Sequence, residues 1–237
     1  MMKKKGKLYL LPSEMGNSDN DYIIPAEVQK ITVNLKYFIV ENLRTARRFL
    51  KKTDKSVNID ELTFYELNKH TDRTKVSNYL APANRGRDIG LLSEAGNPCI
   101  ADPGRVIVQM AHEQNIRVVP TVGPSSIILA LIASGMNGQN FAFTGYLPID
   151  AGERKQRLLQ LENRSVQENQ SQIFMEAPYR NQKLLHTIVR TCSEKTKLTI
   201  AADITLETEF ILTRRIKSWK KELPEINKRP AIFVIHG

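Results

Sequence analysis

Short apolar runs separated by helix-like runs recur along most of this chain, and that alternation constrains the fold more than any other feature. Residues 7–11, 37–40, 62–67, 88–92 and 116–121 read as strands. Residues 25–33, 42–51, 72–84, 103–114 and 124–133 read as helices, the first with proline at its permitted first turn. Strands joined through helices run parallel and lie covered on both faces. The second half continues with strands over 141–145 and 172–176 and helices over 153–163 and 178–192. It then changes: 198–203, 209–212 and 231–235 are strands with one short helix between the last two. Neighbouring strands without a long crossover pair antiparallel. The expectation is an α/β protein of two α/β domains, a parallel-sheet N-terminal domain over 1–121 and a mixed-sheet C-terminal domain over 122–237.

Two turns interrupt this pattern with unusual chemistry. Ser93-Glu94-Ala95-Gly96-Asn97-Pro98-Cys99-Ile100-Ala101-Asp102-Pro103-Gly104 follows one apolar run, and Val122-Gly123-Pro124-Ser125-Ser126 follows the next. Each leads into a helix. Parallel sheets bind small ligands outside the carboxyl ends of their strands, where glycine admits a ligand to the backbone and a helix start offers unpaired N–H groups. The two turns therefore mark a cofactor cleft.

Charge bears on the partner. The chain has 35 Lys and Arg against 25 Asp and Glu, a net charge of +10. Such a surplus suits a polyanion such as RNA, although a lysine-rich proteome produces the same balance. Arg44, Arg47 and Arg48 share one short helical stretch, and Arg214 and Arg215 adjoin Lys217, Lys220 and Lys221. No apolar run reaches the roughly 20 residues of a membrane span. The basic residues 1–7 lack the apolar core of a secretory signal that would follow them. Cys99 and Cys192 are too few for a disulfide framework, and His70, His112, His186 and His236 show no metal-ligand spacing. The expected setting is the cytoplasm, away from membranes. Phosphate-loop, nucleophile-elbow and dinucleotide fingerprints are absent.

Four motifs in register resemble the tetrapyrrole methylase superfamily, and within it the bacterial methyltransferases of small-subunit ribosomal RNA ribose. The first is the Ser93 to Gly104 turn, where that branch reads S-D-A-G-T-P-G-I-S-D-P-G. The second is Val122-Gly123-Pro124-Ser125-Ser126 for P-G-P-S-A. The third is Phe143-Thr144-Gly145-Tyr146-Leu147-Pro148 for F-x-G-F-L-P, and the fourth is Phe174-Met175-Glu176-Ala177-Pro178-Tyr179-Arg180 for Y-E-S-P-H-R. The resemblance implies two α/β domains with S-adenosyl-L-methionine in the cleft between them, in a homodimer, and no metal. It implies cofactor contacts from Pro12, Gly96, Pro98, Ala101, Ser125, Ser126, Met175 and Ile204. Each position has a plainer reading: Asp102 before Pro103 suits a helix N-cap, Ser125 and Ser126 suit caps, and Met175 suits a core.

The acceptor side departs from the branch. Its T-P-I-G-N-L becomes Leu11-Pro12-Ser13-Glu14-Met15-Gly16-Asn17, its A-E-D-T-R becomes Val40-Glu41-Asn42-Leu43-Arg44, and its H-E-H-N-E becomes Tyr65-Glu66-Leu67-Asn68-Lys69. A ribose hydroxyl needs a base within reach, and Glu41, Glu94 and Glu66 are the candidates on the expected cleft face. Arg44 suits a phosphate or simply a solvated helix face. The expected function is methyl transfer to small-subunit ribosomal RNA. A tetrapyrrole-like small-molecule acceptor and a non-catalytic RNA- or ribosome-binding protein on the same fold are the alternatives.

Overall fold

The apolar runs of the first half form β1 (Lys7–Leu11), β2 (Tyr37–Val40), β3 (Thr63–Glu66), β4 (Ile89–Leu92) and β5 (Arg117–Pro120). They build one sheet in the order β3-β2-β4-β1-β5, with every neighbouring pair parallel. The computed structural model describes residues 4–16, 20–68 and 71–237; Asn17, Lys69 and His70 lie outside them. The chain divides into two units, Met1–Ser125 and Ser126–Gly237.

In the first unit the central strands β2 and β4 are apolar on both sides because both sides are covered. Leu8, Ile39, Ile89 and Leu91 pack with Ile107 and Ala111 of α6 (Arg105–Glu113). Leu11, Phe38, Val40 and Leu92 pack on the other face. There they meet α2 (Ala26–Asn34) through Val28 and α3 (Leu43–Thr53) through Ala46, Phe49 and Leu50. The last three recur at helical spacing and leave Arg44, Arg47, Arg48, Lys51 and Lys52 outside. A short α1 (Asn20–Ile23) and a 3-10 turn at Ile59–Glu61 complete the connections.

One expected helix breaks. Residues 72–84 form α4 (Arg73–Val76) and α5 (Ala81–Asn84) instead. Pro82, the second residue of α5, donates no N–H and its ring crowds the preceding turn, so a helix restarts there but does not run through it. The chain turns between them through Tyr79 N–H to Val76 O and Ala81 N–H to Asn78 O.

The second unit begins with α7 (Ser126–Ser134) and contains β6 (Phe141–Tyr146), α8 (Ala151–Glu168), β7 (Ser171–Met175), α9 (Asn181–Thr191), β8 (Lys197–Ala202), β9 (Phe210–Arg215), α10 (Ile216–Trp219) and β10 (Ala231–His236). Strand order is β6-β7-β10-β8-β9. The β6–β7 pair is parallel, whereas β10 runs antiparallel to both β7 and β8, and β9 antiparallel to β8. This is the mixed sheet the late run of strands implied.

Helix α8 is longer than its leucines suggested. Asp150 caps its start by accepting N–H bonds from Gly152 and Glu153, and Asn169 ends it in a left-handed conformation. The stretch read as a helix over 178–192 opens instead with a 3-10 turn, Pro178–Arg180. Among the described residues, no helix is long and apolar enough to cross a membrane.

The core of the second unit centres on Phe174 and Phe233, stacked at 5.9 Å on adjacent strands and fully buried. Phe233→Ala should cost about 3–5 kcal/mol, read as a lower denaturant midpoint for loss of this unit's signal. An unchanged midpoint would show that this stack is not central to the fold.

Candidate functional site

The connection from β1 leads towards β2 on one side of the sheet, and the connection from β4 leads to β5 on the other. Adjacent strands whose chains leave in opposite directions create the switch point where α/β sheets bind ligands. Here the loops after β4, β1 and β5 are joined by backbone. Ser13 N–H donates to Gly96 O at 3.0 Å, and Gly96 N–H returns to Ser13 O at 3.2 Å. Asn97 N–H donates to Pro124 O at 3.0 Å, and its side-chain Nδ2 donates to Gly123 O at 3.1 Å. Thr121 reaches Leu10 O through both its N–H and its hydroxyl.

This closeness has a steric condition. A Cβ at Gly123 would stand 2.2 Å from Pro12 Cβ and 2.8 Å from Asn97 Oδ1, and one at Gly96 would stand 2.9 Å from Pro124 O. No side chain fits at either position without moving backbone or a proline ring. Pro12, Gly96, Pro98 and Ser125 thus fall in one loop cluster of the first unit.

The turn after β4 is conformationally strained. Gly96, Cys99 and Ala101 all have positive φ, at 68°, 71° and 61°. Glycine adopts that region freely, but cysteine and alanine pay about 1–2 kcal/mol each. Asp102 holds the turn: one carboxylate oxygen accepts from Cys99 N–H at 2.7 Å, the other from Gly104 N–H at 2.6 Å. The regular helix starts at Arg105 behind Gly104, so Asp102 clamps the turn ahead of the helix rather than occupying its N-cap. Burial, with the nearby Asp102 charge, pushes the Cys99 thiol up to about 11, so it stays protonated at neutral pH.

Of the three acids expected on this face, two come together. Glu41 follows β2 and Glu94 follows β4. Burial pushes the Glu41 carboxyl above its usual range, with further increments from the Glu94 and Asp102 charges. Thr45 donates its hydroxyl to Glu94 at 2.5 Å. Glu66 closes β3 in register with Val40, at the strand end next to Glu41, and its charge acts on Tyr79.

Asn42, where the branch has an acid, caps α3 by accepting N–H bonds from Arg44 and Thr45. Arg44 and Arg48, one turn apart, stand exposed on that helix. Arg48 shares a cavity of about 170 Å³ with Ser13, Glu14, Thr45, Ser93 and Glu94. Lys52 pairs with Glu14 at the same loop.

The second unit presents its own residues at one end of its sheet. Met175 ends β7 opposite Ile232, and Ile204 lies just beyond β8. Ile204 is buried between Asp203 and Thr205, both with positive φ. Buried polar atoms here lack hydrogen-bond partners among the described residues: Glu176 Oε2, Arg180 Nε and Thr205 Oγ1. In the first unit Asn97 Oδ1 is in the same condition. Buried polar groups ordinarily find partners, so unmet acceptors and donors beside the expected contact positions fit a polar cofactor.

Comparison with known proteins identifies the same family. Residues 33–219 match the family profile of the Tetrapyrrole (Corrin/Porphyrin) Methylases. A ribosomal RNA small subunit methyltransferase I of Buchnera aphidicola (from Schizaphis graminum) is 30% identical over 237 residues, covering 99% of this chain and 79% of that protein. A protein of the same name from Vibrio cholerae is 28% identical, over 97% of this chain and 77% of its own. Among solved structures, the methyltransferase CobJ superposes with a TM-score of 0.65 at 13% identity, covering 98% of this chain and 94% of that one. The cobalt precorrin-4 methyltransferase CbiF gives 0.59, also at 13% identity, over 97% and 94%. These two likenesses establish the fold.

Two substitutions in the strained turn should act with opposite sign. Ala101→Gly should raise stability by up to about 1 kcal/mol, by removing the left-handed penalty. Gly96→Ala should lower it by about 2–4 kcal/mol, through that penalty plus the crowding against Pro124. Thermal melts of both variants test this, and equal shifts would contradict it. Glu41 provides a pH test. Its proton is held more tightly in the folded state, so its favourable contribution is complete below the ordinary carboxylate range and is lost as pH rises through the raised value. Glu41→Gln should therefore raise the Tm at neutral pH, with the gain disappearing in acid.

Proposed function

This chain belongs to the tetrapyrrole methylase family and is an S-adenosyl-L-methionine-dependent methyltransferase, and from that premise we propose that its acceptor is a ribose 2′-hydroxyl of small-subunit ribosomal RNA. The observation that carries the acceptor reading is the Glu41–Glu94 pair beside the exposed Arg44 and Arg48, at the sheet end where three loops are joined. The names of the relatives, matched over nearly the whole chain, support small-subunit ribosomal RNA as the substrate.

When bound, S-adenosyl-L-methionine supplies a methyl group already activated on a sulfonium. In this reading Pro12, Gly96, Pro98, Ala101 and Ser125 would hold it, and the family resemblance adds Ser126, Met175 and Ile204. Glu41 accepts the proton of the ribose hydroxyl, and its raised pKa makes it a stronger base than an ordinary surface carboxylate. Glu94, anchored by Thr45, keeps Glu41 basic through its negative charge. Arg44 and Arg48 receive flanking phosphates, for which the guanidinium fork is suited. Positioning supplies the rest of the acceleration. The same reading includes a homodimer in the cytoplasm.

The test is labelled methyl transfer to purified small ribosomal subunits, with the product checked for a ribose methyl by resistance of the adjacent linkage to alkali. Wild type should label one ribose, and Glu41→Gln should lose about 10²–10⁴-fold in rate, the range for removing a general base. The acid limb of the wild-type pH profile should vanish in the variant. Label on a base would overturn the ribose assignment, and label only on a small tetrapyrrole would overturn the RNA assignment.

A further inference from the structure

The acidic pair and the joined loops occupy the carboxyl ends of the first sheet. The amino ends of the same strands carry a different chemistry, which the proposed function leaves unused. Lys7 is the first residue of β1, and Arg117, the first of β5, is its register partner. Arg85 and Arg87 lead into β4, and Lys4 and Lys5 lead into β1. These segments are held against each other by backbone. Gly6 N–H donates to Ala83 O at 2.8 Å, and a Cβ on Gly6 would stand only 2.1 Å from Arg87 O. Two basic stretches nearly eighty residues apart in sequence are thereby fixed side by side.

The described cations on this rim have no acidic partner, although Lys5 Nζ donates to Gln114 O at 2.5 Å and Lys7 Nζ to the Tyr9 hydroxyl at 3.4 Å. Among the described residues, Lys4, Lys5, Arg85, Arg87 and Arg117 make no ion pair, while nearby Lys30 and Lys36 are neutralised by Glu27 and Glu61. Asp88, the acid closest in sequence, is engaged by Lys7 N–H at 2.7 Å. The rim is also concave and aromatic. Tyr37 and Arg87 line two neighbouring cavities of about 650 and 530 Å³, the first also walled by Tyr9 and the second by Tyr65 and Arg85. A third, of about 710 Å³, lies against Lys4, Lys5, Lys7 and Arg117.

We propose that this amino-end rim of the first sheet is a second RNA-docking surface, in which Arg85, Arg87, Arg117 and the lysines of residues 4–7 take backbone phosphates and the tyrosine-walled hollows take bases. It rests on the RNA reading above for the identity of the substrate. Unpaired cations interleaved with aromatic faces are the combination that single-stranded nucleic acid uses. An anionic membrane fits less well, because none of the large exposed apolar side chains lies on this rim. The rim and the acidic pair are about 16 Å apart, the length of a five-residue strand. A structured RNA spans that easily, so the rim anchors the substrate away from the reacting ribose.

The test is fluorescence anisotropy of the full-length protein with a labelled 20-nucleotide single-stranded RNA at several salt concentrations. Arg85→Ala/Arg87→Ala should weaken binding about tenfold at 0.15 M salt and reduce the log–log salt slope by about 1.4, the value for two lost single-strand phosphate contacts. Arg85→Lys/Arg87→Lys should retain most of the slope. Lys183→Ala/Arg190→Ala, which removes two exposed cations from α9, should change neither value. S-adenosyl-L-methionine affinity, measured by calorimetry, should be the same in all four proteins. An unchanged slope in Arg85→Ala/Arg87→Ala, or equal arginine-dependent binding of polyglutamate, would overturn the proposal. Rim-dependent RNA binding without RNA methylation would leave this surface standing and sink the acceptor reading alone.

Discussion

The space between Gly123 and Pro12 governs the carboxyl end of the first sheet. Because residue 123 has no Cβ, the loop after β5 lies directly on the proline ring that ends β1. Asn97 can then reach Gly123 O and Pro124 O, and Gly96 can pair with Ser13. Three loops from distant parts of the chain become one backbone-lined surface. The left-handed residues at 99 and 101 are tolerated within it because Asp102 accepts two N–H groups of the same turn. Strain of this kind persists where the surroundings over-determine it.

Charge is divided between the two ends of that sheet. At the carboxyl end burial raises the proton affinity of Glu41 and the Glu94 and Asp102 charges raise it further, and arginines stand on the adjoining helix. At the amino end unpaired cations surround open hollows. A parallel sheet makes such a division possible, since every strand starts on one edge and finishes on the other. The net charge of +10 is thus not spread as an even solubilising coat.

Much of the fold was legible as periodicity. The strands among the described residues coincide with apolar runs, and the late shift from parallel to antiparallel pairing followed from the loss of long crossovers. Errors arose where single residues override a pattern. Pro82 broke an otherwise helical stretch, and the caps Asp150 and Asn169 carried α8 beyond its apolar stripe. The candidate site was legible in its loops, since glycine and proline advertise tight turns. Its strain was not, because Cys99 and Ala101 are side chains that ordinarily avoid positive φ. Glu41 and Glu94 could be nominated but not paired, because their proximity depends on β2 and β4 being neighbours. The basic rim was hidden for the same reason: Lys7, Arg87 and Arg117 meet only through strand order and register.

Amide hydrogen exchange, with and without S-adenosyl-L-methionine, tests the central claim that the joined loops form the cofactor surface. The account expects exchange to slow at Gly96, Asn97, Gly123 and Ser125 on addition of the cofactor, while Lys5, Arg85 and Arg87 stay unchanged. Protection confined to the amino-end rim, or none in the three loops despite measurable binding, would contradict it.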